Sequence, residues 1–554
     1  MKSILQSGKL WIVLIVLLSI PALLPFFHKG FFPLQDSIFV ARMYQAATDL
    51  KDFQLPMRWA PGLRYGEPLF NFYAPLPYYI GGLVSLTPLS LIDTSKLLFL
   101  ASFILSGVTM YMLSKELFGK FGGLISAVLY MYAPYHSVDM FVRGALSEHI
   151  SLVFFPLIFL YAQRLQGVWS KKNFVLLTLS LAGLFTTHNI MTIMFVPFFG
   201  AWVIYLWSKD RDFKYLTRIV LSLLLAFGIA ASYLLPAFFE KDLVQSSQLT
   251  SGYYDFRAHF VVVSQFFSTF WGYGPSVWGP EDGLSFQIGL VHWVLLAASL
   301  LSLVIVKPFR KKYLSTVGFL LCAFLFSLFM QHNKSTPIWT AIPILAFIQF
   351  PWRFLGVSIF LSSLAIGSIG ALLKGKFRIV TAVVILVGVG YYFQFFHPQF
   401  FYDGRTDEDY IADIYLKNEG FIPRDYVPIF VKATDSKHLD KPRVRDGSIK
   451  VLSFTTHSSW AQTTVESTQS AKLEIPITYF PGWTVRENGK IVNQDKPTDL
   501  GLIEVPISKG EHNLSLNFDN TPVRSLGDWM SALSLLILAA LAFGIWPFSN
   551  RLKH

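Results

Sequence analysis

The chain has 554 residues, 53% hydrophobic and only 14% charged, with a formal charge of +12. Soluble domains carry about 25% charged residues, so this composition excludes a soluble globular protein and makes lipid the main solvent. The basic excess lies in short loops between apolar runs, where it reads as a topology signal and not as a nucleic-acid surface.

Lys2 and Lys9 precede an apolar run from Leu10 to Phe27 that is longer than a signal-peptide core and has no small-residue cleavage site after it. It reads as an uncleaved first span with a cytoplasmic N-terminus. Further spans are expected at 96–114, 121–137, 150–165, 173–187, 190–207, 216–236, 284–306, 313–330, 353–373, 377–396 and 527–547. Pro75–Ile92 and Thr336–Phe350 are short and proline-bearing, and are expected to dip into the membrane without crossing it. The chain is thus read as a polytopic α-helical membrane protein of about twelve spans.

With this choice one set of loops collects the basic residues: Lys115 and Lys120; Arg164, Lys171 and Lys172; Lys209, Arg211, Lys214 and Arg218; Lys307, Arg310, Lys311 and Lys312; Lys374, Lys376 and Arg378; and the tail with Arg551 and Lys553. These face the cytoplasm by the positive-inside rule. The opposite side holds loops 28–95 and 237–283 and a β-rich segment at 397–524. Residues 1–396 then form the transmembrane domain and 525–554 the last span and cytoplasmic tail. Within 397–524, short strands are expected at Lys472–Thr478, Thr484–Glu487, Lys490–Asn493, Leu502–Pro506 and Asn513–Phe518. Asn488-Gly489 signals a type I′ hairpin, and a small β-sandwich is the expected result. The single cysteine, Cys322, falls inside a span and reads as an inert core residue.

Charged residues at a membrane boundary cost free energy unless solvated or used, so those on the outer side are site candidates. Asp36 precedes Val40, Met43, Tyr44, Ala47 and Leu50, which share one face of a helix expected to lie on the membrane surface. It is either that helix's N-cap or a base that orients an acceptor hydroxyl. After the third span come Asp139, Arg143 and Glu148. Arg143 and Glu148 are five residues apart, too far for an ideal helical pair. Either they serve different partners, a phosphate for Arg143 and an acceptor or metal for Glu148, or they form a salt bridge that pins the loop. His188 and Asn189 sit between two spans with almost no loop. Trp352 and Arg353 open a later span, where a planar guanidinium suits a phosphate head group or simply snorkels beside an interfacial aromatic. Arg58 and Trp59 repeat the pairing in the first loop.

There is no phosphate-binding glycine loop, no His-Glu-x-x-His and no Cys-x-x-Cys. The twelve histidines are scattered, and Asp403–Asp409 departs from EF-hand spacing.

Four passages carry a resemblance over nearly the whole chain: Asp36 with Leu55-Pro-Met-Arg-Trp59 and Phe70-Asn-Phe-Tyr-Ala-Pro75; Arg143-Gly-Ala-Leu-Ser-Glu148; Gln349-Phe-Pro-Trp-Arg353; and Tyr479-Phe-Pro-Gly-Trp483. In their order and sidedness they resemble the YfhO-like membrane proteins and the related membrane 6-pyruvoyl-tetrahydropterin synthase-related group. Both are similar to the GT-C glycosyltransferase superfamily. The zinc-binding histidine cluster of the soluble pterin synthase is not found.

The resemblance implies a transferase of the cell membrane that moves a sugar from a polyprenyl-phosphate donor to a glycan, lipid or protein acceptor on the outer face. An acidic residue of the first outer loop is central in such enzymes, which falls on Asp36. A second acid falls on Asp139 or Glu148, and the two remain open. Arg353, with Arg58 or Arg143, would hold the phosphate, and Trp483 or Trp460 would either stack against the acceptor or belong to a core. The paired Asp-x-Asp of such enzymes is absent, since Gln35 and Ser37 flank Asp36. No cofactor is implied, and a divalent cation is left open. Two other classes are a catalytically inactive scaffold with the same fold and a lipid or polysaccharide transporter. A transporter would carry its charges deep within the spans.

Overall fold

The computed structural model describes residues 8–373, 375–415, 426–433 and 439–544. The expected basic residues Lys2, Lys374, Arg551 and Lys553 lie outside them. Among the described residues, eight helices are long and apolar enough to cross a membrane. One of them, Leu91–Tyr132, doubles back at Gly119 (φ 81) and accounts for two of the expected spans. Its halves run antiparallel. Met131 fills the space over Gly107, Tyr111 that over Gly123, and the Ser114 and Ser126 hydroxyls share a hydrogen bond of 2.7 Å. Leu290–Ile305, Ile379–Phe395 and the 17-residue Lys171–Thr187 cover the other expected spans.

Pro351–Ala371 is the most enclosed of these helices. Small residues let it approach the hairpin closely: a Cβ on Gly122 would meet the Gly367 carbonyl at 2.5 Å. Serine pairs tie it to its other neighbours, Ser299 to Ser368 and Ser327 to Ser358, each at 2.8 Å. Both proline-bearing dips are too short to cross. Leu76–Val84 has nine residues and Thr336–Ala341 six, against the roughly 20 that a span requires. Cys322, expected in the core, is exposed on the outer surface of Lys307–Gln331, where an apolar helix meets lipid instead of protein.

Loops with basic residues converge at one end of the helices. Arg164 pairs with Glu116 there, Gln166 donates to Asp210 at 2.7 Å, and Arg218 donates to the Leu165 carbonyl at 3.0 Å. The first loop, residues 237–283 and the β-rich segment meet at the other end. Gln35 donates to the Gly274 carbonyl at 2.7 Å, and the Asp407 carboxylate accepts from the Leu91 and Ile92 N–H groups at 2.6 and 3.0 Å. Asp407, in the acidic run 403–409, thus caps the helix that begins at Leu91.

Among the described residues, eight strands form two sheets. Strands β1 (Arg443–Asp446), β4 (Ala471–Thr478) and β7 (Leu502–Ile507) form one, in the order β1-β4-β7. Strands β2 (Ile449–Thr456), β3 (Trp460–Ser467), β5 (Trp483–Glu487), β6 (Lys490–Ile491) and β8 (Gly510–Phe518) form the other, in the order β2-β3-β8-β5-β6. All pairings are antiparallel. Asn488 and Gly489 both take positive φ (48° and 81°), the type I′ geometry that Asn-Gly favours. Leu473, Ile475, Val485, Val505 and Leu516 fill the space between the sheets. Trp483 lies in that core, in edge contact with Trp59 of the first loop (ring centroids 5.4 Å apart), and so cannot be an open stacking platform. Trp460 stacks on His457 at 4.2 Å.

Candidate active site

The chain leaves the hairpin at Tyr132 and turns through Pro134–Ser137 into one wide π-helical turn, Val138–Arg143. Such turns cluster at functional sites because they re-aim side chains. Gly144 then takes a left-handed conformation (φ 71) before the helix Leu146–Ser151. This irregular path brings together residues that an ideal helix would hold apart. Arg143 donates to Asp139 at 2.6 Å and to Glu148 at 2.9 Å. Of the two readings left open for Arg143 and Glu148, the salt bridge is the one observed, because the irregular path brings together residues whose spacing does not suit a regular helix.

Glu148 is the hub of the cluster. Its other oxygen accepts from the Tyr135 hydroxyl, and the Arg353 guanidinium stands 3.5 Å away. Asp139 has one donor, and its second carboxylate oxygen is buried without a hydrogen bond. Asp139 and Glu148 are essentially inaccessible to solvent. Breaking such a pair by removing one partner costs about 3–5 kcal/mol, because the remaining charge stays buried. Beside the cluster, Ser102, His149 and His136 form a buried chain with contacts of 2.7 and 3.1 Å.

Arg353 enters from Pro351–Ala371. It donates to the Ile348 carbonyl at 2.8 Å and to the Gln349 side chain at 3.1 Å, while its Nε has no hydrogen bond. Gln349 has φ 66, a costly conformation for a non-glycine residue (about 1–3 kcal/mol). Its amide donates to the Leu249 carbonyl at 3.0 Å, which anchors the strained turn to loop 237–283. Trp352 is buried between Phe286 and Phe350 and lies under the Arg143 guanidinium, 4.6 Å from it. His188 caps the helix Asn189–Asp210 by accepting from the Met191 N–H at 3.1 Å. It is also within electrostatic reach of Glu148, Arg353 and Arg143. Asn189 is the first residue of that helix.

Asp36 joins the cluster through its backbone. Its N–H donates to the Arg143 carbonyl at 2.9 Å, and the Gln35 N–H donates to the Val142 carbonyl at 3.0 Å. The carboxylate itself is exposed and accepts only from the Ile38 N–H at 3.3 Å. The following helix, Phe39–Lys51, begins after Ile38 and has no side-chain cap, so the N-cap reading of Asp36 is corrected. The surface-helix reading is corrected too. Arg42, Gln45 and Asp49 are as buried as Val40, Met43 and Ala47, because Leu76–Val84 covers one side and the β segment another.

Arg58 is occupied elsewhere. Its guanidinium donates to Asp528 of the last helix at 2.6 Å, to Asn71 at 2.9 Å and to the Ser232 carbonyl at 3.3 Å. The sequence reading missed Tyr135, Gln349 and Arg42. Gln349 stood in a quoted passage, but a tertiary contact reveals its role and the residue type does not. Among the described residues, no three His, Cys, Asp or Glu side chains are arranged to hold a metal ion.

A Lactococcus lactis protein described as uncharacterized is 25% identical over 236 residues, 40% of this chain and 38% of that protein. The mycobacterial arabinofuranosyltransferase AftD is similar at 13% identity and TM-score 0.47, covering 71% of this chain and 28% of that one. The oligosaccharyltransferase AglB from Archaeoglobus fulgidus, solved with an inhibitory peptide and a dolichol-phosphate, is similar at 14% identity and TM-score 0.34, covering 70% and 56%. The chain thus spans well under two thirds of the length of each. A family model described as the 6-pyruvoyl-tetrahydropterin synthase related domain, a membrane protein, matches residues 70–396. The chain belongs to that family of membrane proteins.

Proposed function

We propose that the protein is a membrane glycosyltransferase that moves a sugar from a polyprenyl-phosphate donor to an exported acceptor. One observation carries this reading. Arg143 and Arg353 meet two buried carboxylates at the end of the helices where Asp36 stays exposed, with its main chain bonded to theirs. Apolar helices beside a cluster of charged side chains suit a ligand with a long tail and an anionic head.

The acceptor hydroxyl oxygen attacks the anomeric carbon. The bond from that carbon to the phosphate oxygen breaks, and its electron pair leaves with the phosphate. The acceptor proton passes to Asp36 as general base, a role for which an exposed carboxylate with one weak local hydrogen bond is available. Arg353 stabilises the charge that develops on the leaving phosphate as a guanidinium held in place by Glu148, the Ile348 carbonyl and Gln349. Glu148 holds both guanidinia in place. The basic loops would face the cytoplasm, and the site and the β segment the exterior.

The test is turnover by the full-length protein in liposomes, with a panel of polyprenyl-phosphate hexoses and release of sugar-free polyprenyl phosphate as readout. Asp36→Asn should reduce turnover by about 10²–10⁴-fold with an unchanged melting temperature. No turnover on any donor, and no polyprenyl phosphate retained through purification, would sink the reading. A scaffold without catalysis is favoured by one fact, that both buried acids are engaged by Arg143. It predicts a cellular phenotype indifferent to Asp36→Asn but lost on deletion of residues 397–524.

A further inference from the structure

Among the described residues, the other buried arginines of the site each have a carboxylate partner and Arg42 has none. Arg143 has Asp139 and Glu148, Arg353 has Glu148, and Arg58 has Asp528. Arg42 is 4% exposed, makes no ion pair with any described residue, and its Nε is buried without a hydrogen bond. Its guanidinium lies over the Tyr73 ring, 3.9 Å from the centroid. That contact serves the flat face of the group and leaves its edge, where the N–H donors point, without an acceptor.

Local structure offers no compensation. Arg42 is in the first turn of Phe39–Lys51, at the positive end of the helix dipole, where a cation is disfavoured and an anion favoured. Asp49, the other buried charge on this helix, is seven residues on, about 10 Å along the axis, and takes its hydrogen bond from Gln45 at 2.8 Å. Asp36 is within electrostatic reach but forms no ion pair with Arg42. Main-chain bonds tie Arg42 to the cluster: its N–H donates to the Ile38 carbonyl at 3.0 Å, the Ile38 N–H donates to the Asp36 carboxylate at 3.3 Å, and the Asp36 N–H donates to the Arg143 carbonyl at 2.9 Å. An unpaired buried guanidinium is costly in the empty protein and is offset once an anion arrives.

We propose that Arg42, backed by the Tyr73 ring, is the binding residue for the ester-linked phosphate of a lipid phosphate, mono- or diester. The assignment of that phosphate to a lipid-linked sugar donor rests on the glycosyltransferase reading; the anion site itself does not. Arg42 takes the place that sequence reasoning gave to Arg58.

The experiment titrates the full-length protein in detergent with undecaprenyl phosphate, undecaprenol and inorganic phosphate, reading tryptophan fluorescence and melting temperature. Arg42→Gln should weaken undecaprenyl phosphate binding ten- to hundredfold and leave undecaprenol binding unchanged. Without ligand it should melt at or above wild type, since an uncompensated charge is gone, and Arg42→Lys should recover part of the binding. Competition by inorganic phosphate would show that the pocket takes the free anion as well; its failure to compete would restrict the site to the lipid-borne one. Equal affinity for undecaprenyl phosphate in Arg42→Gln and wild type overturns the proposal, as does a lowered melting temperature with loss of both lipids. Loss of phosphate binding without sugar transfer from any donor would retain the anion site and discard the transferase. Transfer with an unchanged KM in Arg42→Gln would do the reverse.

Discussion

The Asp36 N–H donates to the Arg143 carbonyl at 2.9 Å, so the exposed carboxylate of the first loop is registered to the buried ion cluster by main chain alone. Gly144 makes this approach feasible: it has φ 71, and a Cβ there would stand 2.5 Å from the Asp36 carbonyl oxygen.

Gly144→Ala should therefore act on both loops at once. The left-handed conformation alone costs an alanine about 1–2 kcal/mol, and the clash with a main-chain oxygen adds to it. A lowered melting temperature with turnover reduced as strongly as in Asp36→Asn is expected. Normal turnover would show that Asp36 does not need this register.

Arg143→Ala leaves Asp139 buried without its donor, and Glu148 with only Arg353 and Tyr135, and should cost about 3–5 kcal/mol. Because Arg143 and Glu148 belong to one network, adding Glu148→Gln should cost less than the sum of the single changes. Thermal melts of the four proteins of this cycle measure the coupling. Strict additivity would contradict the ion pair.

Arg58 and Arg353 should part company. Arg58→Ala leaves Asp528 without its partner and should lower the melting temperature while leaving bound lipid unchanged. Arg353→Ala should reduce any polyprenyl phosphate retained through purification, read by native mass spectrometry in mild detergent. The opposite pattern would restore the role first given to Arg58.

Asp49 of the helix Phe39–Lys51 and Asp52, the residue that ends it, should respond oppositely to pH. Burial alone would raise the Asp52 carboxyl, but hydrogen bonds from the Ser458 N–H and hydroxyl, at 2.8 and 2.7 Å, and from His457 hold it below its ordinary value. The native state then binds fewer protons than the unfolded chain. Its contribution is present above the unfolded pKa of about 3.9 and is lost as pH falls through the folded one. Burial pushes Asp49 well up instead, so its contribution is present at low pH and lost as pH rises. Asp52→Asn should flatten the acid side of a melting-temperature profile and loosen residues 457–458 to hydrogen exchange. Asp49→Asn should stabilise the protein at neutral pH.

Periodicity and turn chemistry carried much of the local structure. The apolar runs, the proline-bearing dips and the Asn488-Gly489 hairpin were legible because each depends on residues close in sequence. Strands β1 to β3 were missed: β1 and β2 are largely exposed, and β3 alternates in burial but its buried positions include Thr463 and Ser467, so residue type does not mark them. The helix Phe39–Lys51 was misjudged for a related reason. Apolar residues on one face predict an interface on that face, and they cannot report that a sandwich and a short helix bury the polar face as well.

Composition and charge placement determined by themselves that this chain is a multi-span membrane protein whose polar chemistry gathers at one end. Which charges face each other was decided only by the tertiary structure. A π-turn and a left-handed glycine bring Arg143 to Glu148, Asp528 claims Arg58 from 470 residues away, and Arg42 is left without an anion. Ion pairing depends on distances of a few ångströms between segments far apart in the chain, and no local pattern of residue types encodes those distances.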